Sequence, residues 1–142
     1  MAARVFEHQH RVTYGDCTVG NHVYHANYFT ILEAARGEFV RSLGATLLVL
    51  QGQDVIFPVV ECSMRYKLPA RYDDLLTIAI RVTELKGARV SFGHTITNQD
   101  GKLIIEAQTR HACTTLADKP RRIPRAIVEK LSAFFSDHPS AL

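Results

Sequence analysis
The chain contains no tryptophan, only two methionines and only three cysteines among 142 residues. The cysteines, Cys17, Cys62 and Cys113, are odd in number, far apart and form no CxxC pair. That argues against a disulfide scaffold and for a reducing compartment. Charge of one sign is also scarce, with 17 basic against 14 acidic residues, a formal net charge of +3. The basic residues are spread along the chain, and without tryptophan or an interleaved aromatic-basic motif a nucleic-acid module is not expected. Long apolar runs are missing too: stretches such as Val55 to Val60 are far too short to span a bilayer. Met1 to His10 carries one arginine and no apolar run, unlike a signal peptide. A cytoplasmic protein without membrane insertion is the expectation.

The length suits one domain, taken here as residues 1–142, and 46% hydrophobic with 22% charged residues suits a globular core. There is no internal repeat, low-complexity tract or linker. Val5 to Tyr14 reads as a first strand, with Val12 and Tyr14 on one face. A turn-rich stretch, Gly15 to His22, follows. Tyr28, Ile31, Leu32, Ala35, Phe39 and Leu43 then recur at helical spacing and form one apolar stripe. Asn27 stands where an N-cap is expected and Gly44 at C′, which predicts a helix of about four turns. Glu33 and Arg36 are spaced to pair on its flank.

Four strand-like runs come next. Val55 to Tyr66 is rich in β-branched and aromatic residues. Leu76, Ile78, Ile80 and Val82 alternate with Thr77, Ala79, Arg81 and Thr83. Arg89 to Thr97 and Leu103 to Thr115 flank the hairpin signal Asn98-Gln99-Asp100-Gly101. Pro124 opens a short helix to about Phe135, striped by Ile127, Leu131 and Phe134. The pattern predicts an α+β fold in which a five-stranded antiparallel sheet wraps one long central helix. One helix covers little of such a sheet, so the remaining apolar strand surface is expected to be buried against a second copy.

The run Tyr14 to Tyr28 (YGDCTVGNHVYHANY), followed by Leu32 to Arg36 (LEAAR), resembles the signature of the 4-hydroxybenzoyl-CoA thioesterase family. The likeness is greatest to the branch of short-chain acyl-CoA thioesterases found with the Tol–Pal system. It continues through Arg65 to Leu75 (RYKLPARYDDL), the Leu85-Lys86-Gly87 turn and the segment Pro120 to Arg125. The resemblance implies the hotdog fold, a homodimer or homotetramer, and an acyl-CoA or acyl-carrier-protein thioester as substrate. No cofactor is expected, and the spacing of Cys17, His22 and His25 matches no zinc motif, so no metal is expected either.

Thioester hydrolysis needs a base for the attacking water and donors for the developing oxyanion. The resemblance places those donors at the start of the long helix, in the stretch Tyr24 to Asn27, with Val23 beside it as a further substrate-binding residue. First-turn amides lack internal partners and sit at the positive end of the helix dipole. The family's catalytic carboxylate falls on Thr18, which cannot serve as one. Three catalytic readings follow. Asp16 substitutes for it, against a plain role in forming the turn. His25 is the base, against a role in orienting the loop. Or no side chain is the base, and Thr18, Asn21 and Asn27 position a water. Cys17 reads as packing. Glu33 is either a carboxylate reaching a site across a dimer or a partner of Arg36. Coenzyme A phosphates are matched to the turn Lys86, Gly87 and Arg89, with Arg65, Lys67 and Arg71 or the basic Lys119 to Arg125 stretch as further contacts. A thioester-binding protein without catalysis is the alternative function. The pocket is expected to include Leu47, Phe57 and Val59.

Overall fold
The computed structural model describes residues 3–136. Strand β1 (Phe6–Arg11) leads through a 3-10 turn (Tyr14–Asp16) into two short paired strands, β2 (Cys17–Thr18) and β3 (His22–Val23). Helix α1 (Asn27–Ser42) and a short helix α2 (Leu47–Gly52) precede β4 (Val59–Tyr66), β5 (Leu75–Lys86), β6 (Arg89–Thr97) and β7 (Leu103–Ala112). Helix α3 (Arg125–Ser132) follows. The five main strands form one antiparallel sheet in the order β1-β5-β6-β7-β4.

The sheet faces α1 with alternate residues. In β5, Leu76, Ile78, Ile80 and Val82 are fully buried, while Thr77, Ala79, Arg81 and Thr83 between them are not. The stripe of α1 meets that face: Tyr28, Ile31, Leu32, Ala35 and Phe39 are buried. Phe39 is the centre of the packing. It stacks on Phe6 at 5.1 Å and meets Phe134 edge-on at 4.7 Å and Phe92 at 6.0 Å. This is the hotdog arrangement, a sheet curled around one helix.

Two turns follow their local chemistry. Gly44 ends α1 at C′ with φ +89°, a conformation that costs a glycine little. Gly87 takes the first central position of the two-residue β5–β6 hairpin at φ +63°, as a type II′ turn requires.

Elsewhere the structure departs from the expectations. Tyr14 lies not in the first strand but in the 3-10 turn and is 81% exposed, whereas Val12 is buried. Asn27 does not cap α1: Ala26 occupies the N-cap, and Asn27 is the first helical residue. The strand expected from Val55 starts at Val59, with a single bridge from Ile56 to Thr114 before it. Helix α2, capped by the Thr46 hydroxyl accepting from the Val49 amide at 3.1 Å, had no counterpart in the pattern reading. Its six residues are too short to display helical periodicity.

The leftover apolar surface is also more localised than expected. It lies along the edge strand and its neighbours, where Val59, Val60, Tyr66 and Leu68 are exposed, and on α2, with Leu47, Leu48 and Val49. Strand β4 pairs with β7 on one side and has no other partner strand among the described residues.

Candidate active site
The loop between β1 and α1 is organised by one carboxylate. Asp16 Oδ2 accepts from the Thr13 amide at 2.8 Å, closing a capping box on the 3-10 turn, and lies 2.8 Å from His10 Nε2. Asp16 Oδ1 accepts from Asn27 Nδ2 at 2.7 Å. Its main-chain carbonyl accepts from the Tyr24 amide at 2.9 Å. Partial burial alone would raise the Asp16 carboxyl. The bonds from Thr13, His10 and Asn27, with the charge of His10, outweigh it and hold the group below its ordinary value. Asp16 is thus a saturated hub tying β1, the turn and the head of α1 together. It closes the 3-10 turn and is not part of an extended strand with Thr18.

Thr18 is exposed and pairs with His22 across β2 and β3. Val23 belongs to the core, with its side chain buried and its amide donated to the Ala70 carbonyl at 2.9 Å. It anchors the loop. Tyr24 and His25 are exposed, their rings 4.6 Å apart. Tyr66 Oη donates to the His25 carbonyl at 3.0 Å, and the Tyr28 hydroxyl accepts from the Ala70 amide at 3.2 Å. The Tyr24 amide is committed to Asp16, and the Asn27 amide to the Tyr24 carbonyl at 2.9 Å. Among the described residues, the amides of His25 and Ala26 have no hydrogen-bond partner. Free donors therefore stand at the positive end of α1, next to the His25 imidazole.

A cavity of about 240 Å³ lies farther along α1. Its wall begins at Glu33, six residues past Asn27, or ~9 Å along the axis. Leu47, Phe57 and Val59 all line it, with Arg36 and His111. Strand β4 connects the two places, since Tyr66 touches the loop at the head of α1 and Val59 lines the cavity. Contrary to the expected pairing, Glu33 and Arg36 both face this cavity and make no ion pair with each other.

The turn Lys86, Gly87, Arg89 is not brought to the head of α1 within one protomer. The loop meets the sheet beside Leu75, where Val12 donates to Asp74, and Lys86 ends the same strand eleven residues on, about 36 Å away. Instead Arg71 is at hand: its Nη1 donates to the Gly20 carbonyl at 3.3 Å. The pattern reading missed His10, Tyr66 and Arg36 as site residues. His10 could have been found, because it shares an alternation with Val12. Tyr66 has no local signal, since its bond to the His25 carbonyl is long-range, and the local spacing of Arg36 points to Glu33 rather than to a cavity.

Residues 20–105 match the model of the thioesterase superfamily. This chain belongs to that family. It is 35% identical over 129 residues to the acyl-CoA thioester hydrolase YbgC of Escherichia coli, covering 90% of this chain and 96% of that protein. It is 30% identical over 112 residues to the 4-hydroxybenzoyl-CoA thioesterase of a Pseudomonas species, covering 74% and 79%. Among solved structures, a hypothetical protein of Thermus thermophilus superposes with a TM-score of 0.84 at 30% identity, covering 90% of this chain and 98% of that one. These matches span the loop, α1 and the sheet, so the hotdog fold and the family's segment at the head of α1 are both present.

Proposed function
We propose that this chain is an acyl-CoA thioesterase that hydrolyses its substrate without a catalytic carboxylate. The observation that carries the reading is the pair of unbonded amides, of His25 and Ala26, at the head of α1. The thioester carbonyl oxygen docks on them. Water held by the Thr18 hydroxyl attacks the carbonyl carbon and gives a proton to the His25 imidazole, and the oxyanion is held by the amides. Collapse breaks the carbon–sulfur bond, and the imidazolium returns the proton to the departing thiolate. Asp16 is a positioning residue here, because its oxygens are already engaged by Thr13, His10 and Asn27.

The exposed edge of β4 and the apolar face of α2 are covered by a second copy, giving a homodimer or a homotetramer. Lys86, Gly87 and Arg89, remote from the loop of their own protomer, serve the coenzyme A phosphates at the partner's site. A carrier-protein thioester is an alternative thiol donor. Three free cysteines fit a cytoplasmic setting, and among the described residues no helix is long and apolar enough to cross a membrane.

Thiol release from a panel of short, long and aromatic acyl-CoAs tests the reading. Measurable hydrolysis is expected, with His25→Ala slower by about 100-fold, the low end for a lost general base. Thr18→Asp is expected to be faster. Release indistinguishable from buffer across the panel would leave only a thioester-binding protein, the reading that the absent carboxylate favours.

A further inference from the structure
Arg36 lies in the middle of α1, half-buried on the cavity wall. Among the described residues its guanidinium donates no hydrogen bond and makes no ion pair. Burial lowers its pKa, and the nearby Glu33 and Cys62 pull the other way without offsetting that. The other polar neighbours do not balance its charge. His111 Nδ1 lies 2.9 Å from the Phe57 carbonyl and its Nε2 3.0 Å from the Thr109 hydroxyl, and burial pushes it down to about 4. His94 is fully buried on the same face of the sheet, with neither ring nitrogen bonded. Burial and the charge of Arg36 push it down to about 3, so both rings are neutral at pH 7. The rest of the wall is mainly apolar, with Val40, Leu43, Leu50 and Phe92 prominent.

A guanidinium held against apolar walls needs an anion or a set of acceptors, because an uncompensated buried charge is costly. Glu33, the one acid on the wall, is exposed and screened by solvent. The cavity also lies farther along the same helix as the free amides. A thioester carbonyl on the His25 and Ala26 amides would send its acyl group along α1, past Tyr66, towards Glu33 and Arg36. We infer that the cavity receives the acyl part of the substrate and that Arg36 pairs with a carboxylate at the far end of it, so that the preferred substrates are ω-carboxyacyl thioesters. The planar fork of arginine suits a carboxylate bidentately. A plain hydrocarbon chain would desolvate the guanidinium and return nothing. This inference rests on the thioesterase reading for the carbonyl end of the substrate and on the cavity alone for the other end.

The test compares a matched pair, suberyl-CoA with a free ω-carboxylate and octanoyl-CoA, by kcat/KM. The wild type is expected to favour suberyl-CoA at least tenfold. Arg36→Met should lower that ratio at least tenfold, chiefly through the KM for suberyl-CoA, and Arg36→Lys should restore part of it. A second arm needs no catalysis: free octanedioate should raise the melting temperature of the wild type more than octanoate does, and should not do so in Arg36→Met. A wild type that cleaves octanoyl-CoA as well as suberyl-CoA overturns the inference and leaves the thioesterase reading standing. Arg36→Met slowing both substrates alike, or dissociating an oligomer, also overturns it. If neither thioester is cleaved but octanedioate still stabilises only the wild type, the carboxylate site stands and the thioesterase reading falls.

Discussion

The head of α1 and its middle treat polar groups in opposite ways. At the head, Asp16 is bonded by three donors, and Asn27, Tyr24 and His25 each have a fixed partner. In the middle, Arg36 has no bonded partner and His94 is buried with two empty nitrogens. The head is partly open to water and needs rigid geometry, because only a fixed loop can hold two amides free for a ligand. The middle is closed by the sheet, so an unsatisfied group there is expensive and persists only if something else uses it. A hydrogen-bonded shell thus positions the chemistry, and an incomplete shell leaves room for a ligand to complete it.

The largest expected effect tests the closed side by pH. The neutral forms of His94 and His111 are favoured in the fold, with pKa values of about 3 and about 4 against 6.5. The unfolded chain therefore binds more protons, and their contribution is intact above pH 6.5 and lost as pH falls below it. Linkage puts the loss between pH 7 and pH 5 at roughly 4 kcal/mol for both groups together. Urea denaturation across that range checks it, and a flat profile would show that the rings are hydrated.

Asp16→Ala should be next. Removing the hub frees His10, Asn27 and the Thr13 amide, and activity is expected to fall about 100-fold through a displaced amide pair, with a stability loss of about 1–2 kcal/mol, the range for losing a cap. Parallel kinetics and urea melts separate the two. His94→Leu sharpens the contrast from the other side. It removes two unsatisfied buried nitrogens, so at pH 7 it should be neutral or stabilising by about 1 kcal/mol, and it should flatten part of the acid limb. A loss above about 2 kcal/mol would mean that His94 has a partner. The smallest effect belongs to Tyr66→Phe, which deletes one bond to the His25 carbonyl and should cost about 0.5–1.5 kcal/mol.

Much of the scaffold was legible locally. The alternation of Leu76 to Val82, the hairpin at Asn98 to Gly101 and the stripe from Tyr28 to Phe39 are short-range patterns, and each appears in the structure at nearly its expected place. The site was legible as a segment but not as a set of roles. Asn27 looks like a cap because it precedes an apolar stripe, yet its side chain is drawn away by Asp16, eleven residues earlier. Glu33 and Arg36 look like a pair because they are spaced as one, yet the cavity separates their uses. Lys86 and Arg89 look like part of the loop's site only until the length of β5 is counted.

The order of residues determined which segments become strands and helices, which faces are apolar, and that residue 18, where the resemblance puts the family's carboxylate, is a threonine. Periodicity and identity are properties of neighbours along the chain. The curling of the sheet around α1 decided that Asp16 is spent on its own loop, that the His25 and Ala26 amides remain free, that a guanidinium lies unpaired against a cavity, and that His94 lies unsatisfied in the core. Those outcomes depend on which remote groups meet and on how much water remains between them, and no window of sequence contains either.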